Sequence, residues 1–501
     1  MLRNIGSNWV LTAATIAATY LLTPFVIRTL GQDGYGTWTL ITAMTGYMSL
    51  LALGVPMACV RYLAQDVAEG DTRKMNETIG SCAGMYLLVG GAAVIIGLVL
   101  TLVFRAYEIP ATLRGEAPFA FAVMVVQVSA GFIGLLPEGI MFAHHDFVAR
   151  NTVRVAAVVV RLVLTLTILS LRSSLVLLAL VQLAVLVFDF SASMLLIRRR
   201  YPAVRLSLGN FHWPMVRRIF SFSMYVLLLS AGARLSFETD ALVIGAVIGV
   251  AAIPYYAVAN SLIVSLMDFT ISIAAVVAPM ATKLNTERRR SELVDMFLKW
   301  SKISLSLTLA AGLFLVVLGP RFIGWWISAD YEAPAGIVLQ ILMISSFVFL
   351  PVRGVALPIL MGLGKPRTPT LAFLAAGILN LILSIALARP MGLAGVAVGT
   401  AIPNLMFAGV VLVAACRELE IGVVPYLRYV VPRAAAGALP SLAVLVWFKL
   451  GMQVQNLVGF AIAGAAMTTV FALTWVLFVY RGDPYVNLTP NIARLRGWSR
   501  A

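Results

Sequence analysis

Gly80-Ser-Cys-Ala-Gly-Met-Tyr-Leu-Leu-Val-Gly-Gly-Ala-Ala-Val-Ile-Ile-Gly-Leu-Val-Leu-Thr-Leu-Val-Phe104 runs for 25 residues without a charged side chain. A helix of that length rises about 37 Å, enough to cross the ~30 Å hydrocarbon core of a bilayer. Stretches of this kind recur from Asn8 to Tyr480, and we assign fourteen spans: 8–28, 37–58, 80–104, 118–142, 153–171, 175–197, 219–248, 254–279, 301–318, 336–361, 369–388, 393–416, 430–449 and 457–480. The 501-residue chain is 61% apolar and only 12% charged, with a mean hydropathy of +0.96. A soluble domain carries about twice that charge, so water is excluded as the main solvent. The first span has no convincing small-residue cleavage site after it and reads as a retained helix.

The net charge of +16 raises nucleic acid as a partner, but its distribution speaks for membrane topology and against nucleic acid. With the N-terminus placed inside, 27 of the 37 Lys and Arg fall on the inner side, among them Arg150, Arg154, Lys302, Arg494, Arg496 and Arg500. Seven fall outside, Arg28 and Arg105 included, and Arg161, Arg234 and Arg353 fall within spans. Cationic loops resist translocation, so both termini are expected in the cytoplasm. Trp9, Trp38, Trp300, Trp325, Trp326, Trp447 and Trp475 lie at or near span ends, where indoles favour the headgroup boundary. Cys59, Cys82 and Cys416 form no Cys-x-x-Cys pair and sit in or beside apolar spans, so neither a disulfide framework nor a metal knuckle is expected. His144, His145 and Asp146 read as a solvated interfacial loop, because a zinc site needs three or four converging ligands; no metal is expected.

The expected fold is an all-α integral membrane bundle of about 14 transmembrane helices, in two pseudo-symmetric six-helix lobes plus two C-terminal helices. The longest charged connection, Arg198 to Arg218, ends in Asn210-Phe-His-Trp-Pro-Met-Val-Arg-Arg-Ile-Phe220, an amphipathic stretch suited to lying on the inner surface. It divides an N-lobe of residues 1–205 from a C-lobe of 206–420, followed by the last two spans in 421–480 and a cytoplasmic tail of 481–501. The lobes share a pattern: Gly31-Gln-Asp-Gly-Tyr35 leads to Val55-Pro56-Met57-Ala58, and Gly249 to Tyr255 leads to Ala278-Pro279-Met280-Ala281, each before a basic loop. A six-span unit used twice in the same direction implies a pseudo-two-fold axis along the membrane normal. Prolines 24, 56, 137, 279, 351, 358, 403 and 440 lie in or near spans, as packing features or as hinges for rocking lobes.

An ionised side chain in hydrocarbon costs at least ~2.5 kcal/mol and normally faces a partner or a wet cavity. Arg161 lies in mid-span five, Arg234 in span seven and Arg353 deep in span ten. Guanidinium groups suit bidentate binding of phosphate oxygens, so these three could share a cavity that holds a phosphorylated head group. Asp189, Glu238, Asp240 and Asp268 offer the competing account. Glu238 is four residues beyond Arg234 on the same helix face, which suits a purely structural pair. Arg161 has no acid three or four residues away and is the better anion-site candidate. Glu238, Asp240 and Asp268 could also carry a coupling H+ or Na+.

Asn8-Trp9, Pro24-Phe-Val-Ile-Arg28-Thr-Leu-Gly31, Tyr35-Gly-Thr-Trp38, Leu53-Gly-Val-Pro56 and Arg61-Tyr62 resemble the first helical pair of the Wzx-like oligosaccharide flippases, the polysaccharide-biosynthesis branch of the multidrug/oligosaccharidyl-lipid/polysaccharide (MOP) exporter superfamily. Asp240-Ala-Leu-Val-Ile-Gly245 with Tyr255-Tyr-Ala-Val-Ala259 is similar to the seventh and eighth helices, and Gly377-Ile-Leu-Asn380 with Gly392-Leu-Ala-Gly-Val-Ala-Val-Gly-Thr400 to the eleventh and twelfth. The resemblance implies a V-shaped cavity that opens alternately to either side and carries an undecaprenyl-pyrophosphate-linked oligosaccharide, the unit of O-antigen, capsule or exopolysaccharide, across the bacterial inner membrane. It implies a cationic cavity, here Arg28, Arg161, Arg234 and Arg353, and as partners the lipid-linked oligosaccharide, membrane lipids, and the polymerase and glycosyltransferases of the same pathway. No cofactor beyond an H+ or Na+ coupling ion is expected. Two alternatives remain. A MATE-like ion-coupled multidrug exporter would need acidic and aromatic groups to hold cations. A membrane glycosyltransferase or polymerase would need a converging catalytic site, whereas the largest outer loops, about 105–117 and 319–335, are short.

Overall fold

The computed structural model describes residues 2–52, 54–104, 106–452 and 454–486. Arg105, Arg494, Arg496, Arg500 and the tail beyond 486 lie outside the described residues, as do the side chains of Arg3 and Arg218. The described residues form helices and turns without a strand, in two compact units, Met1–Pro254 and Tyr255–Ala501. The first holds α1 (Leu2–Tyr47), α2 (Val55–Glu69), α3 (Thr72–Phe104), α4 (Ala117–Ala143), α5 (Phe147–Leu171), α6 (Leu175–Arg200), α7 (Trp213–Phe237) and α8 (Thr239–Val247). The second takes up α9 (Ile253–Thr286), α10 (Arg290–Val317), α11 (Gly319–Trp326), α12 (Glu332–Pro351), α13 (Leu357–Gly362), α14 (Arg367–Glu418), α15 (Val423–Gly451) and α16 (Leu457–Thr474).

Eleven helical segments among the described residues are long and apolar enough to cross a membrane. Two of them cross twice. At 46 and 52 residues, α1 and α14 would each exceed twice the hydrocarbon thickness if straight. The chain reverses at Gly31 (φ 73, ψ 174) and Gly392 (φ 59, ψ −140), backbone states that a Cβ makes costly. The consecutive α7 and α8, interrupted at Glu238, stand where the seventh span is expected, so each of the fourteen expected spans has a helical counterpart.

The repeat shows in the backbone. Left-handed residues fall at matching connections of the two halves: Gly31 and Gly249 after the first and seventh spans, Gly70 and Arg288 after the second and eighth, His145 and Gly364 after the fourth and tenth. Within the first unit, helices approach through small residues, as expected where lipid tails supply no hydrophobic drive between helices. A Cβ at Gly97 of α3 would stand 2.3 Å from Val125 of α4, and one at Gly90 would stand 2.8 Å from the Ser129 carbonyl. In the second unit the Asn380 amide donates to the Thr400 hydroxyl at 2.9 Å, and the Tyr256 hydroxyl lies 3.2 Å from the same atom. That contact ties together three of the stretches on which the family resemblance rests.

Three features differ from the sequence reading. The stretch after Asn210 is not a separate surface helix: α7 begins at Trp213 with Pro214 in its first turn and runs on into the span. Cys59 of α2 and Cys82 of α3 form a disulfide with Cα atoms 6.3 Å apart, contrary to the expectation of none. The left-handed turn at Gly70 folds α3 back along α2 and brings together residues 23 apart. Lys302, counted among the inner-side cations, is buried on α10 and ion-paired with Asp483, their side chains 1% and 0% exposed. The chain beyond the last span folds back to place Asp483 there, where the carboxylate also accepts from the Tyr429 hydroxyl at 2.8 Å and from the backbone N–H groups of Tyr485 and Val486. The Lys302 ammonium lies 4.6 Å from the centre of the Tyr429 ring.

A buried charge left alone costs far more than a buried pair replaced as a whole. Lys302→Met alone should therefore destabilise the purified protein by about 3–5 kcal/mol, and Lys302→Met/Asp483→Leu should regain most of that loss. Thermal melting in detergent checks this; a double variant as unstable as the single one would contradict it.

Candidate functional site

The first unit places Arg161 at the middle of a span. Asp146 starts α5, its carboxylate accepting from the Ala149 amide at 3.3 Å. From Phe147 the helix climbs fourteen residues, about 21 Å, to Arg161, with ten more, about 15 Å, to Leu171. Thr152, Val159, Val163, Leu166 and Ser170 form its exposed stripe. Ala157 and Thr165, four residues either side of Arg161, are both buried, so the arginine leaves α5 on the inward face. Its Nε is shielded and has no hydrogen-bond partner, and neither has the Thr165 hydroxyl one turn away. No carboxylate pairs with Arg161 among the described residues.

Arg234 sits differently. It is half-buried in the last turn of α7 and ion-paired with Glu238, the residue at which the helix breaks before α8. Gly46 and Tyr47 of α1 fill the break. A Cβ at Gly46 would stand 2.7 Å from the Glu238 carboxylate, and the Tyr47 hydroxyl hydrogen-bonds that of Thr239 and reaches the Arg234 carbonyl at 3.4 Å. Asp240 is buried in the first turn of α8, where a negative charge complements the helix dipole. The pairing that the four-residue spacing allowed is the one the structure adopts. Arg28, one turn before the reversal at Gly31, is exposed.

In the second unit, Arg353 lies on a π-helical turn, Val352–Ala356, between Pro351 and Pro358. Pro358 has no N–H to offer the Gly354 carbonyl, and the helix widens by a residue, a distortion common at functional positions. Gly354 lets this turn approach α9 closely, where a Cβ would stand 2.8 Å from Thr270. Arg353 thereby comes within electrostatic reach of Asp268, an exposed residue of α9, and its guanidinium lies 5.2 Å from the centre of the Phe373 ring.

Sequence reasoning missed a second charged cluster in the first unit. Glu138 of α4 bridges Arg150 and Arg154 of α5, residues counted only as inner-side cations. The tight turn at His144 to Asp146 folds α5 back on α4, so that positions 12 and 16 apart meet. In that turn the His144 ring stacks on Tyr201 at 4.1 Å, and Asp146 accepts from the Tyr201 hydroxyl at 2.9 Å and pairs with Arg200. Burial alone would raise the Asp146 pKa, but these hydrogen bonds hold it below the usual carboxylate value. Among the described residues, no three His, Cys, Asp or Glu side chains come together as a metal site.

Eleven membrane-long helical segments among the described residues, two of them doubled back, and a six-span repeat with shared turns mark a polytopic membrane protein of the MOP exporter fold. The solved structures agree on the fold. The lipid II flippase MurJ in an inward closed conformation aligns over 95% of this chain and 98% of its own, with a TM-score of 0.73 at 13% identity. An inward-facing multidrug resistance MATE transporter of the MOP superfamily aligns over 80% and 94%, with a TM-score of 0.67 at 16% identity. The family model for polysaccharide biosynthesis proteins matches residues 1–285, and the chain belongs to that family. A curated relative, the uncharacterized membrane protein EpsK of Bacillus subtilis, is 21% identical over 424 residues, 80% of each chain. This is the Wzx-like branch to which the motif resemblance pointed.

Arg234→Met leaves the Glu238 carboxylate uncompensated in the helix break and should lower stability by about 1–3 kcal/mol. Arg234→Met/Glu238→Gln should melt close to the parent protein in detergent. A double variant no better than the single one would show that the two groups do not simply neutralise each other.

Proposed function

We propose that this protein is a flippase and not an enzyme: it carries an undecaprenyl-pyrophosphate-linked oligosaccharide from the inner to the outer leaflet of the bacterial cytoplasmic membrane by alternating access. Membership of the polysaccharide biosynthesis family and the likeness in fold to a lipid II flippase support the class of substrate. The observation that carries the reading is Arg161, a guanidinium on the inward face of a mid-membrane helix with no carboxylate to pair with among the described residues.

The physical case is one of mutual relief. A lone guanidinium and a lone phosphate are each costly in hydrocarbon, and a bidentate pair lowers both costs at once. Pyrophosphate is the feature common to all polyprenyl-linked glycans, so gripping it recognises the class without reading the sugar, while the polyprenyl tail stays in lipid. In this reading Arg161 is the principal contact and Arg28, Arg234 and Arg353 are further cationic contacts. Arg234 and Arg353 become available when Glu238 and Asp268 take up a proton or exchange partners with a sodium ion, and Asp240 completes the coupling set. A multidrug exporter that binds organic cations is disfavoured by the same unpaired positive charge. Both termini lie in the cytoplasm, and the pathway's glycosyltransferases and polymerase are the functional partners upstream and downstream.

Arg161→Ala should insert and accumulate normally but abolish glycan export in a flippase-null strain, whereas Arg161→Lys, which keeps the charge and loses the fork, should restore it in part. Surface glycan measured at matched membrane abundance is the check. Full complementation by Arg161→Ala would overturn the proposal.

A further inference from the structure

The second unit carries a recess of about 600 Å³ between the chain around Lys365 to Thr368 and the last turns of α14. Its lining changes character along its length. Gly409, Val410, Val413 and Ala414 share one face of α14, with Val410 and Val413 42% and 38% exposed. No atom lies within 4 Å of where a Cβ on Gly409 would sit, so the recess runs as an open furrow over that residue. One turn further along the same face stands Arg417, opposite Arg367 and Thr368. Lys365 is paired with Glu418 at 3.5 Å. Arg367 and Arg417 are exposed and have no carboxylate partner among the described residues.

We propose that this recess binds an anionic diacyl phospholipid, its phosphate between the Arg367 and Arg417 guanidinium groups and one acyl chain along the Gly409 to Ala414 furrow. An apolar furrow that ends in two uncompensated cations at a basic-loop end of a span matches the division of such a lipid into tail and charged head. A free phosphate would gain nothing from the apolar half. The recess of similar size in the first unit, around Arg73, Asn76 and His212, has no such furrow, and its Arg73 is already paired with Glu77. The proposed site lies wholly within the second unit and does not involve Arg161.

The test uses the full-length protein, delipidated in neutral detergent and offered phosphatidylglycerol, phosphatidylcholine or inorganic phosphate, with retained lipid counted by native mass spectrometry and stability followed by melting. Phosphatidylglycerol should be retained and raise the melting temperature, phosphatidylcholine should be retained much less, and inorganic phosphate should leave melting unchanged. Arg367→Gln/Arg417→Gln should weaken retention about thirtyfold, about 5.4-fold for each cation removed. Gly409→Leu should abolish it without changing any charge, and Arg161→Ala should retain phosphatidylglycerol normally. Equal retention of the two lipids, an unaltered Gly409→Leu, or stabilisation by phosphate equal to that by phosphatidylglycerol would overturn the proposal. Loss of export by Arg161→Ala bears only on the flippase reading and leaves this one standing.

Discussion

An ionised group inside a bilayer needs a counter-charge or water, and several charged residues in the spans of this chain answer that demand. Arg234 has Glu238, Arg353 has Asp268 within reach, Arg150 and Arg154 share Glu138, and Lys302 is enclosed by Asp483 and tyrosine rings. Each arrangement lies within one unit and depends on a local departure from a straight helix: the break at Glu238, the π turn at Arg353, the reversal at His144 to Asp146, and the returning chain after the last span. Arg161 stands in a regular stretch of α5 with no such arrangement around it among the described residues. Asp189 of α6 is likewise left with a buried carboxylate oxygen that has no hydrogen-bond partner; for Arg161, a phosphorylated ligand is the complement we propose.

The backbone makes these positions possible. With no water to satisfy stray N–H and C=O groups, spans remain helical and irregular geometry is confined to turns or to places covered by protein. Gly31 and Gly392 allow single long segments to fold into hairpins. Glu238 interrupts a span where Gly46 and Tyr47 can cover the break. Polar side chains therefore gather where the helices bend, and the bends recur at matching connections of the repeat.

Much of this was legible in the sequence because hydrophobic length and glycine placement are local signals. The uncharged run from Gly80 to Phe104, the paired Pro-Met-Ala motifs and the four-residue step from Arg234 to Glu238 each lie within one or two helical elements, and the fourteen spans and their six-span repeat followed from such runs. Contacts between distant segments were not legible. Cys59 meets Cys82 only because Gly70 folds one helix along another, and Lys302 meets Asp483 across 181 residues. Asp268 and Arg353, on different helices 85 residues apart, come within electrostatic reach only in the folded chain. Reading cations by loop position treated Lys302 as a topology signal, when α10 carries it into the interior. For Arg161 the sequence supplied its depth in the span and the absence of an acid on its own helix. The structure added its inward face and, among the described residues, the lack of a carboxylate from neighbouring helices.

The proposed function requires that the protein recognise phosphate in the membrane. The direct measurement is the affinity of the purified protein in nanodiscs for a short polyprenyl pyrophosphate, compared with the same polyprenyl chain ending in a neutral alcohol. Charge recognition by a guanidinium predicts binding at least about tenfold tighter for the pyrophosphate, equivalent to about 1.4 kcal/mol. Equal affinity for the two lipids would mean that Arg161 does not grip a phosphorylated head group.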